Sequence, residues 1–202
     1  LSEITIQQLI TAYTHGAFPM AKTREGEVSW YTADPRAIFP ITHSDPAGAF
    51  HVPRSLKKLA RQNPFNIRVN QHFEAVIRAC AEPRPGDDET WINKTIINVF
   101  TRAHHAGFSH CVSAHDTNGE LVGGIYGLAL GGAFFAESMF SRVPNGSKLC
   151  LLHLVKHLQD RGFILLDVQF TNPHLEQFGV AEIDAADYER RLSEAFSMGR
   201  LW

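Results

Sequence analysis

Residues 147–169 read SKLCLLHLVKHLQDRGFILLDVQ, and the reading of this stretch decides the fold. Leu151, Leu154, Val155 and Leu158 recur at helical spacing, which predicts an amphipathic helix over Ser147–Arg161. Gly162 stands at the expected helix stop. The run FILLDV, Phe163–Val168, is apolar without alternation and reads as a central strand buried on both faces. Upstream, His110–His115, Leu121–Leu130 and Ala133–Phe140 read as three antiparallel strands with turns at Asn118-Gly119 and Gly131-Gly132. Asn-Gly is the strongest short hairpin signal. Downstream, Pro173–Phe178 reads as a short helix and Ala185–Phe196 as a closing one. A meander, a helix, a buried strand and a closing helix make a compact α+β unit.

Toward the N-terminus the signals are shorter. Thr5 with Gln8 makes a capping box ahead of Ile6, Leu9, Ile10 and Tyr13, and Gly16 ends that helix. Val28–Tyr31 and Arg36–Phe39 are extended pieces separated by Asp34-Pro35, since a residue before proline avoids the helical region. Pro53, at a first-turn position, opens a basic helix, Arg54–Gln62. Phe65–Val69 alternates like a strand, and Phe73–Cys80 and Ile92–His105 are helical. A boundary near residue 70 is expected, with a small α/β region over 1–70 and the larger unit over 71–202.

The 202 residues carry 19 Lys and Arg against 21 Asp and Glu, so bulk charge gives no attraction to nucleic acid and any basic surface must be local. At 44% hydrophobic and 20% charged, the composition is that of a folded domain with a substantial core. Cys80, Cys111 and Cys150 form no CxxC pair and no disulfide framework, which suits a reducing cytoplasm. No apolar run approaches the length of a membrane span, and Leu1-Ser2-Glu3 does not open a signal peptide. No metal site is expected: His153 and His157 share a helix face, but Lys156 stands among the spacer residues where a zincin needs its glutamate. His104, His105, His110 and His115 read as ordinary surface or half-buried residues.

Three features call for chemistry. Asp167 lies inside an apolar strand and alternates with Gln169, so both side chains are expected on one strand face. A carboxylate buried there needs a cationic partner, such as a core arginine, or a function. Glu137, in the apolar strand around Phe134–Phe140, poses the same problem. With Gln169 and Asn172 close by, the two acids look like a pocket for a cationic or amine substrate. Arg142 to Lys148, between a strand and a helix, resembles a phosphate cradle at a helix N-terminus. Acyl-coenzyme A acetyltransferases place [QR]xxGx[GA] there, whereas this chain has RxxxGS. Trp30-Tyr31 and Trp91 are aromatic planes near polar breaks, suited either to stacking on nucleobases or to a core.

Taken together, FPM (18–20), WYTADPRA (30–37), FHVPRS (50–55), TWI (90–92), LVGGIYG (121–127), ESMFSR (137–142), SK (147–148) and DVQFTN (167–172) resemble the leucyl/phenylalanyl-tRNA–protein transferases over nearly the whole chain. The resemblance implies an acetyltransferase-like (GNAT-like) fold for the larger unit. It also implies transfer of leucine, phenylalanine or sometimes methionine from aminoacyl-tRNA to a protein with N-terminal Arg or Lys, marking it for degradation. On that basis Asp167 and Gln169 are the catalytic candidates, and Glu137 and Asn172 the acceptor contacts. Ile125, Met139, Leu151, Leu154, Leu158 and Leu166 line up with the aminoacyl side-chain pocket. Tyr31 and Trp91 match positions that stack on the terminal adenosine. Arg54, Lys57, Lys58 and Arg61, with Arg142 and Lys148, are the candidate tRNA backbone contacts. A monomeric cytoplasmic enzyme without cofactor is expected. The residues leave open whether Asp167 takes the amine proton or only orients the amine, and which aminoacyl group is preferred. Two other readings compete: a coenzyme A acyltransferase, and a non-catalytic RNA-binding module, favoured if Asp167 and Gln169 are buried and paired.

Overall fold

Thr5 opens the first helix, α1 (Ile6–Thr14), through a reciprocal capping box. Its Oγ1 accepts the Gln8 N–H at 3.1 Å, while its own N–H donates to Gln8 Oε1 at 2.9 Å. The structure, a computed structural model, describes residues 3–83, 89–199 and 202; Leu1 and Ser2, on which the reading of the chain's opening partly rests, lie outside them. After α1 come β1 (Phe18–Ala21), β2 (Val28–Tyr31), β3 (Arg36–Phe39), α2 (Arg54–Arg61), β4 (Asn66–Val69), α3 (Phe73–Cys80) and α4 (Lys94–His105). The second half runs β5 (Ser109–His115), β6 (Leu121–Leu130), β7 (Ala133–Ser141), α5 (Gly146–Arg161), β8 (Leu165–Gln169), α6 (Pro173–Glu176), β9 (Ala181–Ile183) and α7 (Ala185–Ser197). Pro53 caps α2 from outside rather than occupying its first turn.

The elements build a seven-stranded sheet in the order β4-β5-β6-β7-β8-β3-β9, with β1 and β2 forming a separate hairpin. β5, β6 and β7 are the expected antiparallel meander, and α5 carries the chain over to β8, which runs parallel to β7. Gly162 ends α5 with φ +73°, the left-handed cap its position predicts. Strands from both sides of residue 70 share this sheet, because β3 inserts between β8 and β9 while β4 pairs with β5.

Consecutive residues along the central strands point to opposite faces and feed two cores. Cys111, Phe135 and Leu165 join α1, α3, α4 and α7 on one side. Val112, Phe134 and Leu166 join α2 and α5 on the other. This double coverage explains why FILLDV shows no alternation. Burial of Leu154, Val155 and Leu158 against the sheet gives α5 its place, at roughly 1.5–3 kcal/mol for each large apolar side chain.

Candidate active site

β7 and β8 stay together only briefly. Their parallel pairing joins Ala133–Phe135 to Leu165–Asp167, and then the strands part. Each strand carries an irregularity at the parting point. On β7 the register with β6 runs Tyr126↔Ser138 and then Gly127↔Ala136, so Glu137 is an extra, unmatched residue. On β8 the register with β3 runs Ile38↔Asp167 and then Ala37↔Gln169, so Val168 is extra. Bulges bend a strand and re-aim its side chains. Gly127 makes the first possible: a Cβ there would lie 2.1 Å from the Phe135 carbonyl oxygen. The wedge between the strands is a cavity of about 560 Å³, walled by Glu137, Met139, Leu151, Gln169 and Phe170, with Trp91 and Met20 opposite. A second hollow of about 620 Å³, between α1 and β2, is lined by Glu3, His15 and Glu27 as well as by glutamines, threonines and Trp30. The wedge holds the convergent polar groups that a reaction site needs.

Asp167 is fully buried, and its carboxylate is saturated. Arg36 Nε donates to Oδ1 at 3.0 Å and Nη2 to Oδ2 at 2.7 Å; the Tyr188 hydroxyl donates to Oδ2 at 2.7 Å. The Arg36 guanidinium lies 4.9 Å from the Phe18 ring centroid and 4.5 Å from that of Tyr188, and its Nη1 donates to the Gly16 carbonyl at 2.8 Å. The remaining lone pair of Oδ1 accepts the Gln169 backbone N–H at 2.8 Å. Asp167 therefore takes the core-arginine partner that its burial demanded and does not line the cavity, which is the buried pairing expected of a non-catalytic RNA-binding module.

Gln169 does line the cavity, although it is largely buried, so the two residues do not share one regular strand face as expected. Its φ is +60°, and the Phe170 N–H closes back onto the Val168 carbonyl at 2.7 Å. This is a γ-turn of the rare, strained kind with positive φ at its centre. Asp167 holds that turn from below. The satisfied orientation of the Gln169 amide puts its nitrogen on the carbonyls of Ala136, at 3.0 Å, and Val168, at 3.2 Å. The side chain thus ties β8 to the bulge of β7, and its oxygen is the group left for a donor.

Glu137 is the acid of the cavity wall; the residue is half-buried, its Oε1 is enclosed, and the Tyr13 hydroxyl stands against its carboxyl. Burial pushes its carboxyl up to about 8; the adjacent Tyr13 hydroxyl and Arg36 oppose the shift and Asp167 adds to it. His174, on the same wall, is lowered by burial and by Lys148. Since Arg36 neutralises Asp167, the expected two-carboxylate pocket has a single lining acid, Glu137.

The other candidates separate by position. Ile125, Met139 and Leu151 line the cavity, whereas Leu154, Leu158 and Leu166 are fully buried in the core beside α5 and do not reach it. Asn172 lines the rim while its Oδ1 caps α6, accepting the His174 and Leu175 N–H groups at 3.0 Å each. Trp91 is at the cavity; Tyr31 is not, and faces a neighbouring cleft of about 340 Å³ that shares Met20 and Trp91. Arg54, Lys57, Lys58 and Arg61 are all exposed on α2. Arg142 binds Glu82 at 2.6 Å, and Lys148 binds Gln177 Oε1 at 2.9 Å. His110 and His115 are buried more deeply than expected: the first stacks on Trp202 and the second contacts Ser113. Among the described residues no three His, Cys, Asp or Glu side chains are grouped to hold a metal ion, and no helix is long and apolar enough to cross a membrane. Sequence reading missed Met20, Phe18, Phe170 and His174 as cavity residues. FPM and DVQFTN contain the first three, but nothing in their pattern distinguishes lining from packing.

Comparison with known proteins bears on this geometry. The family model for the leucyl/phenylalanyl-tRNA protein transferase N-terminal domain matches residues 2–34, and that for leucyl/phenylalanyl-tRNA protein transferase matches 46–193. The leucyl/phenylalanyl-tRNA–protein transferase of Rubrobacter xylanophilus is 47% identical over 197 residues, covering 98% of this chain and 97% of that protein. That of Paramagnetospirillum magneticum is 47% identical over 195 residues, covering 96% and 90%. Among solved structures, L-PGS from Bacillus licheniformis aligns with TM-score 0.47 at 10% identity over 96% of this chain and 70% of that one. A GCN5-related N-acetyltransferase from Sphaerobacter thermophilus gives TM-score 0.43 at 18% identity over 89% and 54%. On the two family matches and the near-full-length identities, the chain belongs to the leucyl/phenylalanyl-tRNA protein transferase family and is an aminoacyltransferase.

Proposed function

We propose that the β7–β8 wedge transfers leucine or phenylalanine from its tRNA to the N-terminal amine of a protein beginning with Arg or Lys, in the cytoplasm and as a monomer, and that the product is marked for degradation. The observation that carries this reading is Glu137, a half-buried acid on the wall of the cavity, with one oxygen enclosed and the Tyr13 hydroxyl against its carboxyl. An ammonium or guanidinium entering the cavity favours the ionised form of this carboxyl, which then gives up its proton and accepts a charge-assisted hydrogen bond. Ile125, Met139 and Leu151 form the adjoining apolar wall for a leucyl or phenylalanyl side chain. Trp91 offers the aromatic plane for the terminal adenosine, and the α2 cations attract the phosphates.

The chemistry asks for little beyond positioning. The aminoacyl ester is already activated, and holding it against an amine can supply about 7–11 kcal/mol. The neutral amine attacks the ester carbonyl, the tetrahedral intermediate collapses, and the ribose hydroxyl leaves with a proton. Gln169 Oε1 accepts from the attacking amine and aims its lone pair. Asp167 acts through the Gln169 backbone as a positioning residue, because Arg36, Tyr188 and Gln169 occupy its lone pairs. The test is charged leucyl- or phenylalanyl-tRNA with a peptide bearing N-terminal Arg, scored for a new N-terminal residue, with an N-terminal Ala peptide as control and acetyl-coenzyme A as the competing donor. Equal transfer to the Arg and Ala peptides would sink the acceptor assignment.

A further inference from the structure

Phe170 follows the residue that positions the amine, and it is 51% exposed, whereas the core phenylalanines Phe39, Phe100, Phe134, Phe135 and Phe178 are almost completely buried. The γ-turn is the cause. In a regular strand Phe170 would point away from Gln169, but the turn throws both side chains onto the cavity. Its packing is also fixed. The ring sits edge-on against Phe18 at 5.6 Å, and Phe18 is itself held under the Arg36 guanidinium. A rigid, half-bare aromatic face at a cavity mouth is a ready contact for an apolar group.

Resting on the acceptor reading above, we propose that Phe170 selects the second residue of the acceptor protein, favouring aromatic and aliphatic side chains there. Consecutive Cα atoms are 3.8 Å apart in both chains. An acceptor whose amine lies at the Gln169 oxygen and whose basic side chain turns toward Glu137 therefore has its second residue within reach of Phe170 on the same cavity wall. On the same reading the donor is met by other lining residues, Ile125, Met139, Leu151 and Trp91. Covering about half of a phenylalanine surface corresponds to roughly three- to ten-fold in kcat/KM.

The experiment uses the full chain with phenylalanyl-tRNA and a peptide series Arg-X in which X is Gly, Ser, Glu, Leu or Phe. Expected is a three- to ten-fold higher kcat/KM for Leu and Phe than for Gly, carried mainly by KM. Phe170→Ala collapses the Phe-to-Gly ratio toward one, and Phe170→Leu restores part of it while guarding against a folding defect. Wild-type transfer that is indifferent to X overturns this inference alone. So does a Phe170→Ala variant whose loss appears in the KM for tRNA and is equal for every peptide, since the ring then serves the donor. No transfer to any Arg or Lys peptide overturns the acceptor reading as well.

Discussion

Removing Arg36 tests the link between the buried core and the reaction. In Arg36→Met the Asp167 carboxylate loses all three hydrogen bonds from the guanidinium while remaining wholly buried. Breaking one side of a buried ion pair costs about 3–5 kcal/mol, chiefly because the surviving charge is left uncompensated. The Gly16 carbonyl also loses its donor, and the Phe18 and Tyr188 rings lose their cation, so the upper half of that range is expected. For a chain of this size 1 kcal/mol shifts Tm by about 2–4 °C, which predicts a fall of roughly 8–20 °C. Urea and thermal denaturation followed by circular dichroism measure it, with coincident probes to establish two-state unfolding. Adding Asp167→Asn removes the orphaned charge yet keeps an oxygen for the Gln169 N–H. The double variant is therefore expected to be more stable than Arg36→Met alone. Strict additivity of the two singles, or a loss under about 1 kcal/mol for Arg36→Met, would refute the pairing energetics. Activity adds a second decision. If Asp167 only positions Gln169, the refolded double variant still transfers at saturating substrates. A stable double variant slowed about 10²–10⁴-fold would instead assign the carboxylate a proton-transfer role.

Glu137 sets a pH dependence. Its folded carboxyl, at about 8 against 4.5 unfolded, keeps its proton through that interval, so its contribution to stability is full below 4.5 and is lost as pH rises to 8. Glu137→Gln should flatten the fall in urea midpoint between pH 5.5 and 8.5 and weaken Arg and Lys peptides far more than tRNA; an unchanged slope would show the site to be solvated. Replacing Lys57, Lys58 and Arg61 together by Ala should weaken tRNA binding and reduce the slope of log K against log salt by about 2–3, provided all three meet phosphates. A slope that stays the same would make α2 merely a solvated face. Gln169→Gly keeps the positive-φ turn without strain and Gln169→Ala does not, so the Gly variant should be the more stable while both lose about 10²–10³-fold in kcat. A Gly variant with wild-type rate would leave the amide without a role.

What the sequence makes legible follows the range of the interaction. FILLDV announces a strand covered on both faces because each residue meets a core whichever way it points. Asp167 announces a buried partner because a lone charge is too costly there, yet the partner is 131 residues away and nothing local marks Arg36. Glu137 was visible as an acid in an apolar strand, but its exit into the cavity depends on a bulge, and that bulge depends on Gly127 in the facing strand. The pocket leucines fail for a geometric reason. Leu154 and Leu158 lie about 4.5 and 10.5 Å further along the helix axis than Leu151, so similar side chains at helical spacing pass from the cavity wall into the closed core. A boundary near residue 70 follows from local character alone, whereas β3 and β4 join the larger sheet through pairings that only the folded chain contains.

The N-terminus of α5 explains why a sheet that splays between β7 and β8 is suited here to an aminoacyl ester rather than to a coenzyme A thioester. A diphosphate seated there needs unpaired N–H groups and open space before the first turn. The Ser147 N–H instead donates to Ser141 Oγ at 3.0 Å, and the Gly146 N–H to the Val143 carbonyl at 3.2 Å. Gly146 is pressed against Gly123 so closely that a Cβ on Gly123 would stand 2.6 Å from the Gly146 carbonyl carbon. The nearby cations are engaged as well, Arg142 with Glu82 and Lys148 with Gln177. The missed RxxxGS pattern thus has a structural counterpart: the Gly146 and Ser147 N–H groups are engaged within the turn that joins β7 to α5. With the Gly146 and Ser147 N–H groups engaged, this helix end has fewer donors to offer a diphosphate. The exposed Arg54, Lys57, Lys58 and Arg61, repeating at the spacing of one helix face, are suited to a long polyanion rather than to a compact diphosphate.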